Sequence, residues 1–241
     1  MSRIAKRISE NFILLVSIPR NSLDLAMAAE ESGADAIKVH LNCVHRASGT
    51  KFGTWKEERK EIEKILSKLT IPVGIVPGAQ VIASHKEMIE LENMDFDFWD
   101  IFAHHLPAYF LELQKMGRMA AVDYTFDKAV LEELERMKIQ IIEGSIIEPE
   151  GYGFRITARD IARYRTLVKS TKLPVIIPTQ RKITAGDIPY IADAGVRGIA
   201  IGAIVTGHTV KELEAAALLF KKAIDSLKYV VTEEIPGGFT N

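Results

Sequence analysis

Residues 174–207 read PVIIPTQRKITAGDIPYIADAGVRGIAIGAIVTG. Val175-Ile176-Ile177 and Gly198-Ile199-Ala200-Ile201-Gly202 are short apolar runs, as expected of strands buried on both faces, and an amphipathic stretch lies between them. Strand, loop, helix, strand and then a turn of small residues is the layout of a phosphate site in a (β/α)8 barrel. There the loops after the seventh and eighth strands, and the first amides of a short extra helix, hold an anion. Gly202-Ala203-Ile204 lets the backbone approach closely, and Gln180-Arg181-Lys182 supplies donors and positive charge. These six residues are the candidate phosphate site.

Working outward, apolar runs of strand length alternate along the whole chain with helical patterns of ten or so residues, which predicts repeated βα units. Strands are expected over 13–17, 36–41, 73–76, 98–102, 119–122, 139–142, 175–177 and 199–201, and helices over 22–32, 56–68, 84–92, 107–115, 127–137, 157–171, 188–194 and 210–227. Ser84, Thr157 and Asp187 read as helix starts, and Gly33, Gly117 and Gly195 as helix ends. The fold class is therefore α/β, a (β/α)8 TIM barrel formed as one domain over 1–241, with phosphate-binding loops after strands 7 and 8. The segments 31–39 and 193–201 share a weak repeat, which the common grammar of βα units explains.

Composition narrows the function. The 31 Lys and Arg are balanced by 32 Asp and Glu interspersed through the helices, so neither a nucleic-acid nor a membrane partner is expected. The single cysteine, Cys43, excludes an intramolecular disulfide, and the first residues lack the apolar core of a signal peptide. The expectation is a cytoplasmic enzyme with a small-molecule substrate, and the sequence leaves a homo-oligomer open. No G-x-G-x-x-G follows any expected strand, so a nicotinamide cofactor is not expected.

Alternation along the second strand sets Ile37, Val39 and Leu41 toward the helices and Lys38, His40 and Asn42 toward the barrel axis, beside the small Ala200 and Gly202 of the eighth strand. The other polar residues at strand ends converge on the same C-terminal mouth, where barrel enzymes keep their active sites. Lys38, Glu143, Asp123 and His40 are the candidate catalytic set; Ser17, Arg20, Asn42, Asp100, His104 and Tyr152 are candidate substrate contacts. An unpaired polar group inside a barrel costs roughly 2–7 kcal/mol, so several together imply chemistry, although a structural Lys38–Glu143 ion pair is the alternative for those two alone. His40, Cys43, His45, His104 and His105 include metal-ligand types, but consecutive histidines in a strand point apart, and no metal and no cofactor is expected. The loops 42–54 and 146–156 carry Arg46, Lys51, Tyr152 and Arg155 and are expected over the mouth, where Arg46 or Arg155 would add a cationic contact to a ligand.

Asp123-Tyr-Thr-Phe, Gly144-Ser-Ile-Ile with Gly151-Tyr152, Pro174-Val-Ile-Ile through Arg181-Lys-Ile-Thr, and Ala194-Gly195-Val196 with Ala200 to Thr206 resemble the N-acetylmannosamine-6-phosphate 2-epimerase family within the ribulose-phosphate-binding barrels. The N-terminal part is similar in outline. This resemblance implies a phosphorylated sugar as substrate and epimerisation as the reaction. The chain departs from that family where a catalytic lysine follows strand three, since Val76-Pro77-Gly78 stands there and proline transfers no proton.

Three function classes follow. In the first, an epimerase or isomerase abstracts a proton next to a carbonyl of a phosphorylated metabolite, with Lys38 as base or electrostatic stabiliser and Glu143 or Asp123 as its partner. In the second, Lys38 forms a Schiff base in an aldolase-type lyase. In the third, a phospholigand is bound without turnover for regulation.

Overall fold

The computed structural model describes residues 1–227; residues 228–241 of the expected domain lie outside it. The chain opens on a helix absent from the sequence expectation, α1 (Arg3–Glu10). Ser2 caps it, and the Asp97 carboxylate accepts the amides of Arg3 and Ile4 at 2.8 Å each, so the first free N–H groups of the helix are met by a negative charge. Its apolar positions Ile4, Ala5 and Ile8 share one face and are buried. Only three apolar residues among basic ones mark that face, which is why the helix was not evident in the sequence.

The βα units follow in order: β1 (Ile13–Ser17), α2 (Leu23–Glu31), β2 (Ala36–His40), α3 (Trp55–Lys68), β3 (Val73–Val76), α4 (His85–Glu92), β4 (Phe98–Phe102), β5 (Gly117–Val122), α5 (Lys128–Arg136), β6 (Ile141–Gly144), α6 (Ala158–Lys169), β7 (Val175–Pro178), α7 (Ile188–Asp193), β8 (Gly198–Ile201), α8 (Ala203–Thr206) and α9 (Val210–Ser226). The eight strands pair in parallel and in sequence, and β8 closes on β1, so the barrel read from the sequence is the fold. Where a helix was expected over 107–115 the chain makes two 3-10 turns, Ala103–His105 and Ala108–Glu112. Pro107 supplies no N–H and holds its predecessor, Leu106, out of the helical region, which separates the two turns. The sixth strand begins two residues later than expected, which puts Glu143 inside the strand.

Two apolar layers hold the barrel. The outer one joins the strands to the surrounding helices. The inner one fills the N-terminal half of the barrel with Ile13, Leu15, Ala36, Phe98, Met119, Ile141 and Ile176, closed from below by Ile4 and Ile8 of α1. Fully burying an isoleucine of this kind stabilises by about 1.5–3 kcal/mol. A Cβ on Gly74 would fall 2.1 Å from the Phe98 ring, so glycine in β3 is what admits that ring to the axis. The apolar plug leaves only the C-terminal half of the barrel open. No described helix is long and apolar enough to cross a membrane.

Candidate active site

Above the apolar plug the inward positions turn polar. Ser17 ends β1, Lys38 and His40 alternate along β2, Asp100 is the centre of β4 and Glu143 lies in β6. All are buried beneath a cavity of about 490 Å³ at the C-terminal mouth, and all line it. Ala121, Ala200 and Gly202 line the same space, so small residues on β5 and β8 create the room that the larger polar side chains occupy from β2, β4 and β6.

The centre is a clamp. Lys38 Nζ donates to Asp100 Oδ2 at 2.6 Å and to Glu143 Oε2, while Ser145 Oγ donates to Glu143 Oε1 at 3.1 Å. One buried cation faces two buried carboxylates, so the three cannot all titrate independently. Burial and the Glu143 charge push the Asp100 carboxyl up to about 8 against the pull of Lys38. Burial also raises Glu143, but the Lys38 charge and the hydrogen bonds from Lys38, Asp100 and Ser145 outweigh it and hold it low. Desolvation alone would lower Lys38; the two carboxylates overcome this and raise it, so it stays an ammonium. Asp100 Oδ1 has no hydrogen-bond partner among the described residues. A protonated acid, an ionised carboxylate and a fixed ammonium therefore stand side by side. Two of the ammonium's three N–H groups are occupied, and the third is left for a ligand oxygen.

Ser17 Oγ and His40 Nε2 are 3.2 Å apart, and the His40 ring packs on His45 and Phe52. Burial, then the neighbouring His45 and Lys38, lowers His40 well below the usual imidazole range; burial and Lys38 bring His45 down to about 4, with Glu143 opposing. Both rings are neutral near pH 7. Asp123 and His104 stand higher on the wall, 3.6 Å apart, with Asp123 held low by Thr125 despite partial burial. Asp123 does not reach the clamp; its Oδ1 accepts from Thr125 instead. Asn42 leaves the expected inward row, because β2 ends at His40 and Asn42 takes φ 51°, sending its amide to the Pro77 carbonyl at 3.2 Å. Arg20 also lies off the cavity, donating to the His208 carbonyl at 2.8 Å.

The loops expected to hold phosphate follow β7 and β8, but their side chains are used differently from that expectation. Gln180 and Gly202 line the cavity; Arg181, Lys182, Ala203 and Ile204 do not. Gln180 spends its amide on the neighbouring loop, donating to Tyr152 Oη at 2.6 Å and the Ser145 carbonyl at 3.2 Å and accepting from Ile147 N at 3.1 Å. Arg181 turns outward to the buried Asp160, with Nε 3.0 Å from Oδ2, and donates to the Gly151 carbonyl at 2.8 Å. Lys182 is exposed, and its amide bonds to the Phe154 carbonyl. The physical reason is Asp160: a carboxylate 2% exposed at the start of α6 needs a cation, and Arg181 is within reach. What remains at the β7–β8 end is Thr179, whose Oγ1 accepts the Gly202 amide at 2.9 Å, and the start of α8. There Ala203 and Ile204 begin the helix, so their amides have no intrahelical acceptor.

Ser145, Thr179 and His45 line the cavity and were not singled out for it in the sequence. Among the described residues, no three His, Cys, Asp or Glu side chains group as metal ligands would.

No family model matches the chain, and no curated protein is similar to it. Solved structures are. Tryptophan synthase alpha chain from Legionella pneumophila aligns over 94% of this chain and 98% of its own, with a TM-score of 0.72 at 13% identity. The tryptophan synthase A-subunit from Pyrococcus furiosus covers 88% and 98%, with a TM-score of 0.68 at 12% identity. Thiamine phosphate pyrophosphorylase from Pyrococcus furiosus covers 90% and 96%, with a TM-score of 0.62 at 15% identity. At these identities the likeness is one of fold, and the barrel is what they share.

Proposed function

We propose that this protein is an enzyme that moves a proton next to a carbonyl of a small phosphorylated metabolite, in the manner of a sugar-phosphate epimerase or isomerase. The observation that carries this reading is the buried Lys38–Asp100–Glu143 clamp on the floor of an open cavity. Burying three ionisable groups costs several kcal/mol per ion unless the geometry offsets it, and a raised acid beside a lowered one is the arrangement of acid–base catalysis. Glu143 is the base that accepts the proton from carbon, Asp100 is the acid placed to return one, and the free N–H of Lys38 stabilises negative charge on the substrate oxygen. Ser17, backed by neutral His40, is a further hydrogen-bond partner at the same level.

The phosphate belongs at the β7–β8 end, against Thr179, Gly202 and the first amides of α8. The barrel fold supports this placement, because that is where such barrels commonly hold phosphate. A structural neighbour named for a phosphate ester, thiamine phosphate pyrophosphorylase, is consistent with it. The clamp speaks against the Schiff-base reading, since an ammonium held between two carboxylates is a poor nucleophile until it loses a proton.

A thermal-shift screen of sugar phosphates and related metabolites, each paired with its unphosphorylated form, tests the substrate class. Ligands that bind only the folded state raise the melting temperature. Shifts confined to phosphorylated members are expected, and equal behaviour of both members of every pair would count against the reading.

A further inference from the structure

The charge arithmetic of the cavity is incomplete for an anionic ligand. Lys38 faces two carboxylates, Asp123 adds further negative potential, and Arg181 is committed to Asp160. Among the lining residues the one remaining permanent cation is Arg46. It has no carboxylate within ion-pair distance among the described residues, and its guanidinium lies over the Tyr152 ring, 5.2 Å from the centroid.

Arg46 is brought there by a folded finger. Residues 43–52 turn back on themselves, with Val44 bridged to Lys51, His45 N bonded to the Thr50 carbonyl and Phe52 N to the Cys43 carbonyl. Phe52 and His45 pack on His40, which roots the finger in β2. The finger thus reaches from β2 across the mouth to the loop after β6. Tyr152, the residue it meets, is held at its hydroxyl by Gln180, next to Thr179 in the anion loop. Arg46 and Gln180 therefore approach one tyrosine from its face and its tip.

We propose that Arg46 is the cation of the phosphate subsite, delivered across the barrel mouth by the 43–52 finger of the same chain, and that it swings from the Tyr152 ring onto the phosphate of a bound monoester. This rests on the phosphate reading above. A guanidinium gives a forked pair of hydrogen bonds to a phosphate, which the amides of α8 alone do not neutralise. The ring-stacked position keeps the side chain ordered and weakly held until an anion arrives, since an exposed cation–π contact is weaker than a charge-assisted pair.

Calorimetric titration with inorganic phosphate and with glycerol 3-phosphate, glycerol serving as control, reads the proposal on the full-length protein. Arg46→Gln is expected to weaken both phosphate ligands at least tenfold, with Arg46→Lys falling between. Phenylglyoxal labelling followed by mass spectrometry gives a check without substitution: Arg46 should be modified in the free protein and protected by glycerol 3-phosphate. Phosphate binding to the parent that Arg46→Gln leaves unchanged, or labelling at Arg46 that phosphate does not slow, overturns Arg46 while the phosphate reading stands. If the parent binds neither phosphate ligand, the phosphate reading itself fails and the role of Arg46 with it.

Discussion

Lys38 Nζ sits 2.6 Å from Asp100 Oδ2, joining the middle of β2 to the middle of β4 inside the barrel with both side chains almost fully buried. The contact makes Asp100, expected only as a substrate contact, an immediate partner of the candidate catalytic lysine. Lys38→Met keeps the stem and removes the charge. It strips Glu143 of its counter-ion, and breaking a buried pair in this way costs about 3–5 kcal/mol. Without Lys38 the folded-state pKa of Glu143 rises, so the variant should recover stability as pH falls toward 5. Denaturant melts at two pH values read this directly. Turnover, once a substrate is found, should drop about 100- to 10,000-fold; full activity in a folded Lys38→Met protein would make the lysine purely structural.

Asp100 gives stability a pH dependence of defined sign. Its carboxyl is raised to about 8 in the folded protein, chiefly by burial and by Glu143, whereas the unfolded chain titrates it near 4, about the ordinary aspartate value. Between these values the folded state holds a proton that the unfolded state has released, so stability falls as pH rises from about 4 to about 8 and levels off above. Glu143, held low, acts in the opposite sense and only in more acidic solution, below its ordinary value. Asp100→Asn should flatten the slope between pH 5 and 8 in urea melts. A slope that survives the substitution would place the titrating proton elsewhere.

Arg181 was expected to grip phosphate, and the structure assigns its guanidinium to Asp160 and Gly151. Arg181→Met should therefore act on the fold, leaving Asp160 as a buried charge without its cation at a cost of about 3–5 kcal/mol. Pairing it with Asp160→Asn should return part of that loss in chemical denaturation. Arg181→Met that leaves stability intact but abolishes phosphate binding would restore the original expectation.

The barrel was readable because strands buried on both faces leave continuous apolar runs, and parallel pairing in sequence order needs no long-range information. The inward direction of Lys38 and His40 was readable for a similar local reason, the two-residue period of β2. Glu143 was readable as a partner of Lys38, and the two do pair; the second carboxylate of the clamp was not. Asp100 carries a signal in hindsight, a carboxylate in the middle of Phe98-Trp-Asp-Ile-Phe102 on the same parity as two inward aromatics, but which lysine it meets depends on barrel closure. Asp160 reads in the sequence only as the third residue of a capping box after Thr157. That it is also buried, and so draws Arg181 away from the cavity, is a consequence of packing between α6 and the β7 loop. The 107–115 stretch misled because its apolar spacing resembles a helix, whereas the chain makes only the short 3-10 turn Ala108–Glu112 there.

Proton exchange at carbon separates the proposed chemistry from simple binding. Phosphorylated aldoses, ketoses and 2-acylamino sugars are incubated with the protein in D2O and followed by proton NMR, alongside their unphosphorylated counterparts and with Asp100→Asn and Glu143→Gln proteins in parallel. At least one phosphorylated compound should lose its signal next to the carbonyl, its unphosphorylated form should not, and both substitutions should slow the loss at least a hundredfold. A phospholigand that binds tightly yet exchanges no carbon-bound proton, or exchange that persists in both variants, would contradict a proton-transfer site built on Lys38, Asp100 and Glu143.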